Sequence, residues 1–289
     1  FSGTLPLGRR KTLERVDGMF AFGFYDATTR QLHVARDRMG EKPLYWTYTG
    51  KTFCFASEIK ALLAVGNVEP NPNLSRIDDY FHTGHVNGTD TIFRDIYELS
   101  PGTCLTIGQE HFSPKVEAYW NVENVGPELS PRAIDDLGST FLEQFDQAIA
   151  SRQISDVPIG ILLSGGIDSN SIAQRALENE SVVPPFFFAE SSDRTLSERA
   201  DVEVFLDHCR KAFPSTDTRL ITATTELDAV LEELIRLTWH FDEPVVFTNS
   251  IALSAITRKA CQEKIKVLIS GEGADETLYG YDRFVRSGK

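Results

Sequence analysis

The chain has 289 residues, 41% hydrophobic and 25% charged, ordinary globular proportions with room for two cores. A formal net charge of −13 argues against a nucleic-acid or acidic-membrane surface. No apolar run approaches the ~18 residues of a membrane span.

Cys54, Cys104, Cys209 and Cys261 are widely spaced and form no Cys-x-x-Cys pair, which predicts reduced, mostly buried thiols in a cytoplasmic protein. His82 and His85 lie three apart with no further ligand nearby in sequence, a poor basis for a metal site.

Met19 to Tyr25 alternates, with Phe20, Phe22 and Phe24 on one face, and predicts a strand. Asp26-Ala27-Thr28-Thr29 is a turn, and Gln31 to Arg36 is the returning strand. Strands at Leu44 to Tyr48 and Thr52 to Ala56 follow, joined around Gly50. Ser57 is the expected N-cap of a short helix through Leu63. Pro70 and Pro72 precede a helical stretch at Ile77 to Phe81, and Pro101-Gly102 turns into a strand at Thr103 to Ile107. The first ~120 residues are therefore read as antiparallel strands with little helix.

A polar stretch with Pro and Gly, 121–130, marks the expected domain boundary. Ser130-Pro131 then starts a helix whose apolar stripe is Ile134, Leu137, Phe141, Phe145 and Ile149. Next come a strand at Ile159 to Leu163, the loop Ser164-Gly165-Gly166-Ile167-Asp168-Ser169, and a helix at Ser171 to Leu177. A strand at Val182 to Ala189, a helix at Glu198 to Phe213 and a strand at Arg219 to Thr222 continue the alternation. Helices at Leu227 to Trp239 and Asn249 to Glu263, then a strand at Val267 to Ser270, complete it. Alternating strand and helix predicts a parallel sheet covered on both faces, with ligands at the carboxyl ends of its strands.

A strand turning sharply into a helix leaves main-chain N–H groups unpaired at the positive end of the helix dipole, an anion site. Gly165 and Gly166 let a phosphate come close, and the Ser164 and Ser169 hydroxyls add donors. Asp168 cannot face phosphates bare, so it reads as a Mg²⁺ contact. No lysine ends the loop, which excludes Gly-x-x-x-x-Gly-Lys-Ser/Thr. Ser270-Gly271-Glu272-Gly273-Ala274-Asp275-Glu276 is a second cluster at a strand end. Its carboxylates need Mg²⁺ or a cationic group to share a pocket. Asp242-Glu243-Pro244 is read as a candidate border of that pocket.

Ser164 to Ser169 resembles the pyrophosphate loop of the ATP pyrophosphatases, which cleave ATP between its α and β phosphates. Five further blocks resemble the class II glutamine amidotransferase domain of glutamine-dependent asparagine synthetases. They are Asp17 to Phe22, Ala35 to Tyr45, Phe55 to Leu62, Tyr80 to His85 and Leu99 to Thr103, in order. Ser270 to Glu276 resembles the Ser-Gly-Glu-Gly-x-Asp-Glu block of the same family.

The resemblance implies two domains. A partial α+β, antiparallel-sheet domain of the N-terminal-nucleophile type would span 1–120, and an α/β, parallel-sheet ATP-pyrophosphatase domain, incomplete at its C-terminus, would span 131–289. It further implies nucleotide contacts at Leu162, Ser164, Gly165, Gly166, Asp168, Ser169, Phe188, Ser270 and Gly271. Glu272 and Asp275 would act on the aspartyl-adenylate, with Asp168 and Asp275 on Mg²⁺. ATP and Mg²⁺ would be the cofactors, aspartate and glutamine or ammonia the substrates, and a second copy of the chain a candidate partner.

The departures are at the ends. Phe1 stands where the family has its nucleophilic cysteine, and Cys54 falls inside an expected strand. The family's arginine loop, Asn-Gly-Glu segment and C-terminal catalytic lysine have no counterpart. The chain reads as a fragment that should not hydrolyse glutamine as it stands. Alternatives are a β-lactam synthetase-like or sugar-acid amidotransferase scaffold, or a non-catalytic ATP-binding module.

Overall fold

A computed structural model describes residues 2–3, 8–65, 68–109, 112–124, 134–179, 184–191, 197–216, 218–224, 229–247, 249–278 and 280–281. The chain divides into two compact units. One holds Phe1–Glu128 and Thr238–Val246, the other Leu129–Leu237 and Phe247–Lys289.

In the first unit, β1 (Ser2–Gly3), α1 (Arg9–Arg15), β2 (Ala21–Asp26) and β3 (Gln31–Arg36) are followed by β4 (Tyr45–Tyr48) and β5 (Phe53–Ala56). The helices α2 (Ile59–Ala64) and α3 (Leu74–Thr83) precede β6 (Ile96–Glu98), β7 (Thr103–Gly108) and β8 (Lys115–Ala118). One sheet has the order β1-β2-β3-β7-β8, antiparallel except where β1 runs parallel to β2, and the other the antiparallel order β5-β4-β6.

Period-two alternation along β3 explains the layering. Val34 joins Leu44, Leu99, Leu105 and Ile107 between the sheets, while Ala35 joins Leu13 of α1, Cys104 and Tyr119 on the opposite face. Ile59 and Leu62 of α2 pack with Ile96 outside the second sheet.

The block Ala35 to Tyr45 is a turn held by two buried charges. Asp37, 1% exposed, accepts main-chain N–H bonds from Phe20, Met39, Glu41 and Lys42 at 3.2, 3.2, 2.9 and 3.0 Å. Arg36 donates to Glu98 at 2.6 Å and to the carbonyls of Lys42, Leu99 and Gly40 at 2.7 to 2.8 Å. A carboxylate with four donors and a guanidinium with four acceptors are both spent on holding the turn.

Several local expectations shift. The helix expected from Ser57 starts at Ile59, with Glu58 as N-cap and no side-chain cap bond. Its cap comes from far along the chain, as Lys60 donates its main-chain N–H to Asp242 at 3.2 Å. The stretch at Ile77 to Phe81 is part of the longer α3. Strands β6 and β8 and helix α1 were not signalled by periodicity, being short and irregularly patterned.

In the second unit, α4 (Ile134–Arg152) precedes β9 (Ile159–Leu162), α5 (Ile167–Asn179), β10 (Phe186–Glu190), α6 (Arg199–Ala212) and β11 (Leu220–Thr224). Then come α7 (Val230–Phe241, whose end belongs to the first unit), α8 (Asn249–Gln262), β12 (Val267–Ile269) and α9 (Ala274–Leu278). All four strands are parallel, in the order β11-β10-β9-β12.

The three consecutive phenylalanines follow from a sheet buried on both faces. Phe186 and Phe188 face α5 and α6, packing with Ala173, Ala176, Leu177, Val202, Leu206 and Cys209. Phe187 faces α8 with Ala255, Ile256 and Ala260. Of the stripe expected on α4, Ile149 is buried, but Leu137 and Phe141 are 53% and 46% exposed, and the side chain of Ile134 lies outside the described residues. The expected Ser130-Pro131 cap and most of 121–130 also lie outside them. Cys104 and Cys209 are buried, Cys54 is half-buried in β5 and Cys261 is exposed, all free thiols.

Candidate functional site

The strand order reverses at β9. From β9 the chain steps through β10 to β11 on one side, then returns to place β12 on the other. Open α/β sheets bind ligands at such a switch point, at the carboxyl ends of the strands. A cavity of about 410 Å³ occupies that position.

Its walls include Leu162, Ser164, Gly166, Asp168, Ser169 and Phe188 from the β9 and β10 side, and Ser270, Gly271, Glu272 and Asp275 from the β12 side. Two motifs about a hundred residues apart in sequence thus meet in one crevice. Of the residues expected to contact the nucleotide, the metal or the adenylate, all but Gly165 are in the wall.

The loop folds against itself through Ser169. Helix α5 begins at Ile167, not Ser171, so Asp168 and Ser169 sit in its first turn, where N–H groups have no intrahelical partner. Ser169, 7% exposed, accepts the main-chain N–H of Ser164 at 3.0 Å, and the two hydroxyls lie 2.9 Å apart. Gly166 donates its N–H to the Ser164 hydroxyl at 3.1 Å.

Gly165 packs against the start of α6. A Cβ there would come within 3.0 Å of the Asp201 Cβ and 3.3 Å of the Glu198 Cβ, so the glycine admits the start of α6. Its N–H donates to the Glu198 carboxylate at 2.9 Å.

Gly271 closes the cradle from the β12 side. A Cβ on it would lie 3.1 Å from the Asp168 Cβ and 3.3 Å from the main-chain nitrogen of Ser169. The bare glycine keeps the helix N-terminus reachable, as a phosphate group needs. Gly273, at φ +96°, lets the chain turn into α9. There the Asp275 carboxylate occupies the space a side chain at Gly280 would fill. Glu272 is exposed at the rim, its N–H donating to the Ser270 hydroxyl at 3.4 Å.

Among the described residues, Asp168, Glu198, Glu272, Asp275 and Glu276 line the cavity and no lysine, arginine or histidine does. A divalent cation would offset the repulsion between these carboxylates and a bound polyanion. Among the described residues no cluster of three or more His, Cys, Asp or Glu could hold an ion alone. This donor set suits Mg²⁺, which takes one or two carboxylates and completes its shell from phosphates and water.

Phe188 is 3% exposed, with its ring in the core and the Arg199 guanidinium 5.7 Å above it. Arg199 also donates to Glu190 and, at 3.0 Å, to the Thr222 hydroxyl, clamping the ends of β10 and β11.

The sequence reads Asp242, Glu243 and Pro244 as a candidate border of the pocket. They belong to the first unit, where Asp242 pairs with the Lys60 ammonium at 3.1 Å and the Tyr80 hydroxyl donates to the Pro244 carbonyl. Burial, then the neighbouring Glu98 and Asp242, push the Glu243 carboxyl above its ordinary range. Sequence reading missed Glu198, Asn249, Ala252 and Leu253, which also line the cavity. Their positions depend on helix packing, and no local pattern marks them.

A family model described as Asparagine synthase matches residues 140–288, and one described as Glutamine amidotransferase domain matches residues 5–120. Asparagine synthetase [glutamine-hydrolyzing] 3 of Bacillus subtilis is 30% identical over 283 residues, covering 94% of this chain and 45% of that protein. The amidase chry2 of Gibberella zeae is 30% identical over 289 residues, covering 94% and 41%. Asparagine synthetase [glutamine-hydrolyzing] 1 of Bacillus subtilis is 28% identical over 279 residues, covering 95% and 41%. The chain spans about half the length of these relatives or less.

Proposed function

Starting from a chain that belongs to the asparagine synthase family, we propose that its second unit binds ATP with Mg²⁺ and activates a carboxylate for amidation. The observation that carries this is the single crevice joining Ser164–Ser169 to Ser270–Asp275. On this reading 131–289 is the ATP-using domain, and 1–120 belongs to the glutamine amidotransferase domain that supplies ammonia in the longer protein.

The roles follow from position. Main-chain N–H groups in the first turn of α5, with the Ser164 hydroxyl, receive the phosphates. Asp168 and Asp275 hold Mg²⁺, which when bound offsets phosphate charge as it builds on the leaving group. Leu162 and Phe188 offer strand-end backbone to the base, and Ser270 and Gly271 face the nucleotide from across the crevice.

The acceptor is aspartate. An oxygen of its β-carboxylate attacks the α-phosphorus; the new O–P bond forms as the α–β anhydride breaks and pyrophosphate leaves. Ammonia then adds its lone pair to the acyl carbon, the C–O bond to AMP breaks, and one proton is released. Glu272, which lines the cavity beside Ser270, takes that proton and orients the amine on this reading. A second reading keeps the same site and changes the acceptor acid. It is favoured by the amidase chry2, a relative as similar as the first synthetase.

The test is the melting temperature with and without Mg·ATP, beside Asp168→Ala. At about 100 times its Kd a ligand adds ~2.7 kcal/mol of stability. A rise in the parent that the variant lacks supports the site, and no rise in either removes it. Pyrophosphate release with aspartate against other acids then separates the two acceptor readings.

A further inference from the structure

Three successive N–H groups of the loop are already satisfied within the chain. Ser164 donates to the Ser169 hydroxyl, Gly166 to the Ser164 hydroxyl, and Gly165 to the Glu198 carboxylate at 2.9 Å. The first two acceptors are neutral and belong to the loop. Glu198 alone is an anion, and it comes from another element, at the start of α6. A carboxylate on a Gly-Gly N–H fills the place a phosphate oxygen would fill.

The neighbours of Glu198 are anchored independently of it. Ser197 donates to Glu190, and Arg199 to Glu190 and the Thr222 hydroxyl, so the start of α6 is tied to the ends of β10 and β11. Glu198 is the N-cap residue of α6, yet its side chain makes no capping bond. It is also solvent-exposed, so it can swing away without leaving a buried group unpaired.

We propose that Glu198 is a resident stand-in for phosphate. It holds the Gly165 N–H while the crevice is empty, and an incoming phosphate displaces it. The glutamate thereby preorders the loop and weakens the binding of anions to it. In a wall with four other carboxylates and, among the described residues, no basic one, its displacement adds to the demand for a divalent cation. This rests on the nucleotide reading above and adds a residue that sets the affinity of that site.

The test uses the full chain and its Glu198→Gln and Glu198→Ala variants. Titration calorimetry with metal-free inorganic pyrophosphate and with Mg·ATP gives affinities, and hydrogen exchange of the Gly165 amide without ligand reads the carboxylate contact. Both variants should bind pyrophosphate about tenfold more tightly or better. The Gly165 amide should exchange faster in Glu198→Ala. Binding that is unchanged, or weaker as loss of a metal ligand would make it, overturns the proposal and leaves the nucleotide site standing. An unchanged Gly165 exchange rate overturns it as well. Binding by none of the three proteins, with the exchange difference intact, removes the nucleotide reading and this proposal with it.

Discussion

Gly271 faces the main-chain nitrogen of Ser169 so closely that a Cβ would stand 3.3 Å from it. The two residues lie in motifs a hundred positions apart, and their proximity keeps a helix N-terminus open. Gly271→Val should remove nearly all stabilisation by Mg·ATP, and Gly271→Ala should weaken nucleotide binding by about tenfold. The comparison is between melting curves with and without ligand. A normal ligand shift in Gly271→Val would mean phosphates do not use this cradle.

Ser169 is the pin of the loop, since its hydroxyl is the acceptor for the Ser164 N–H. Ser169→Ala leaves that N–H in a part-buried place without its partner, which should cost about 1–3 kcal/mol. Urea unfolding followed by circular dichroism measures it. Ser169→Thr keeps the hydroxyl and should lose less, unless the added methyl clashes.

Glu233 ties α7 to α8. Burial favours its neutral form, but hydrogen bonds from Arg236, Ser254 and Arg258, with the Arg258 charge, win and hold the carboxyl at about 2 instead of 4.5. A depressed folded-state value means the stabilisation is fully present above pH ~4.5 and is lost as pH falls toward 2. Allowing for solvent screening, it is on the order of 2 kcal/mol. Unfolding free energy measured from pH 6 to 2.5 should fall in that window, and Glu233→Gln should start lower and show a shallower fall.

Asp37 gathers four main-chain donors in the first unit. Asp37→Ala leaves them without an acceptor in a place that is 1% exposed, and the variant should lose about 3 kcal/mol or more. Asp37→Asn keeps the shape but trades one acceptor oxygen for a donor, so it should fall between. Loss of protease resistance in fragments of the first unit, with those of the second unchanged, is the signature.

Much of the site was legible in residue order alone. A buried strand followed by Ser-Gly-Gly-Ile-Asp-Ser specifies a helix N-terminus with free N–H groups, because glycines and a short polar run permit few other backbone paths. Phe186, Phe187 and Phe188 similarly announce a strand buried on both faces, since consecutive aromatics have no exposed side to prefer. Strand types, the parallel sheet and the pairing of the loop with Ser270–Asp275 follow from such local rules and from sheet topology.

What residue order left open was decided by contacts distant along the chain. Nothing beside Ser57 says that the cap of α2 would come from Asp242, and nothing around Glu198 says that its carboxylate would reach Gly165. Gly165 also makes room for α6, which its lack of a Cβ could not announce, because a missing Cβ is the same signal whichever neighbour fills the space. Sequence determined which backbone segments offer donors, charge and apolar faces, since those are properties of residues in series. Tertiary structure decided which partner each meets, since hydrogen bonds and packing act over a few ångströms in space and take no account of separation along the chain.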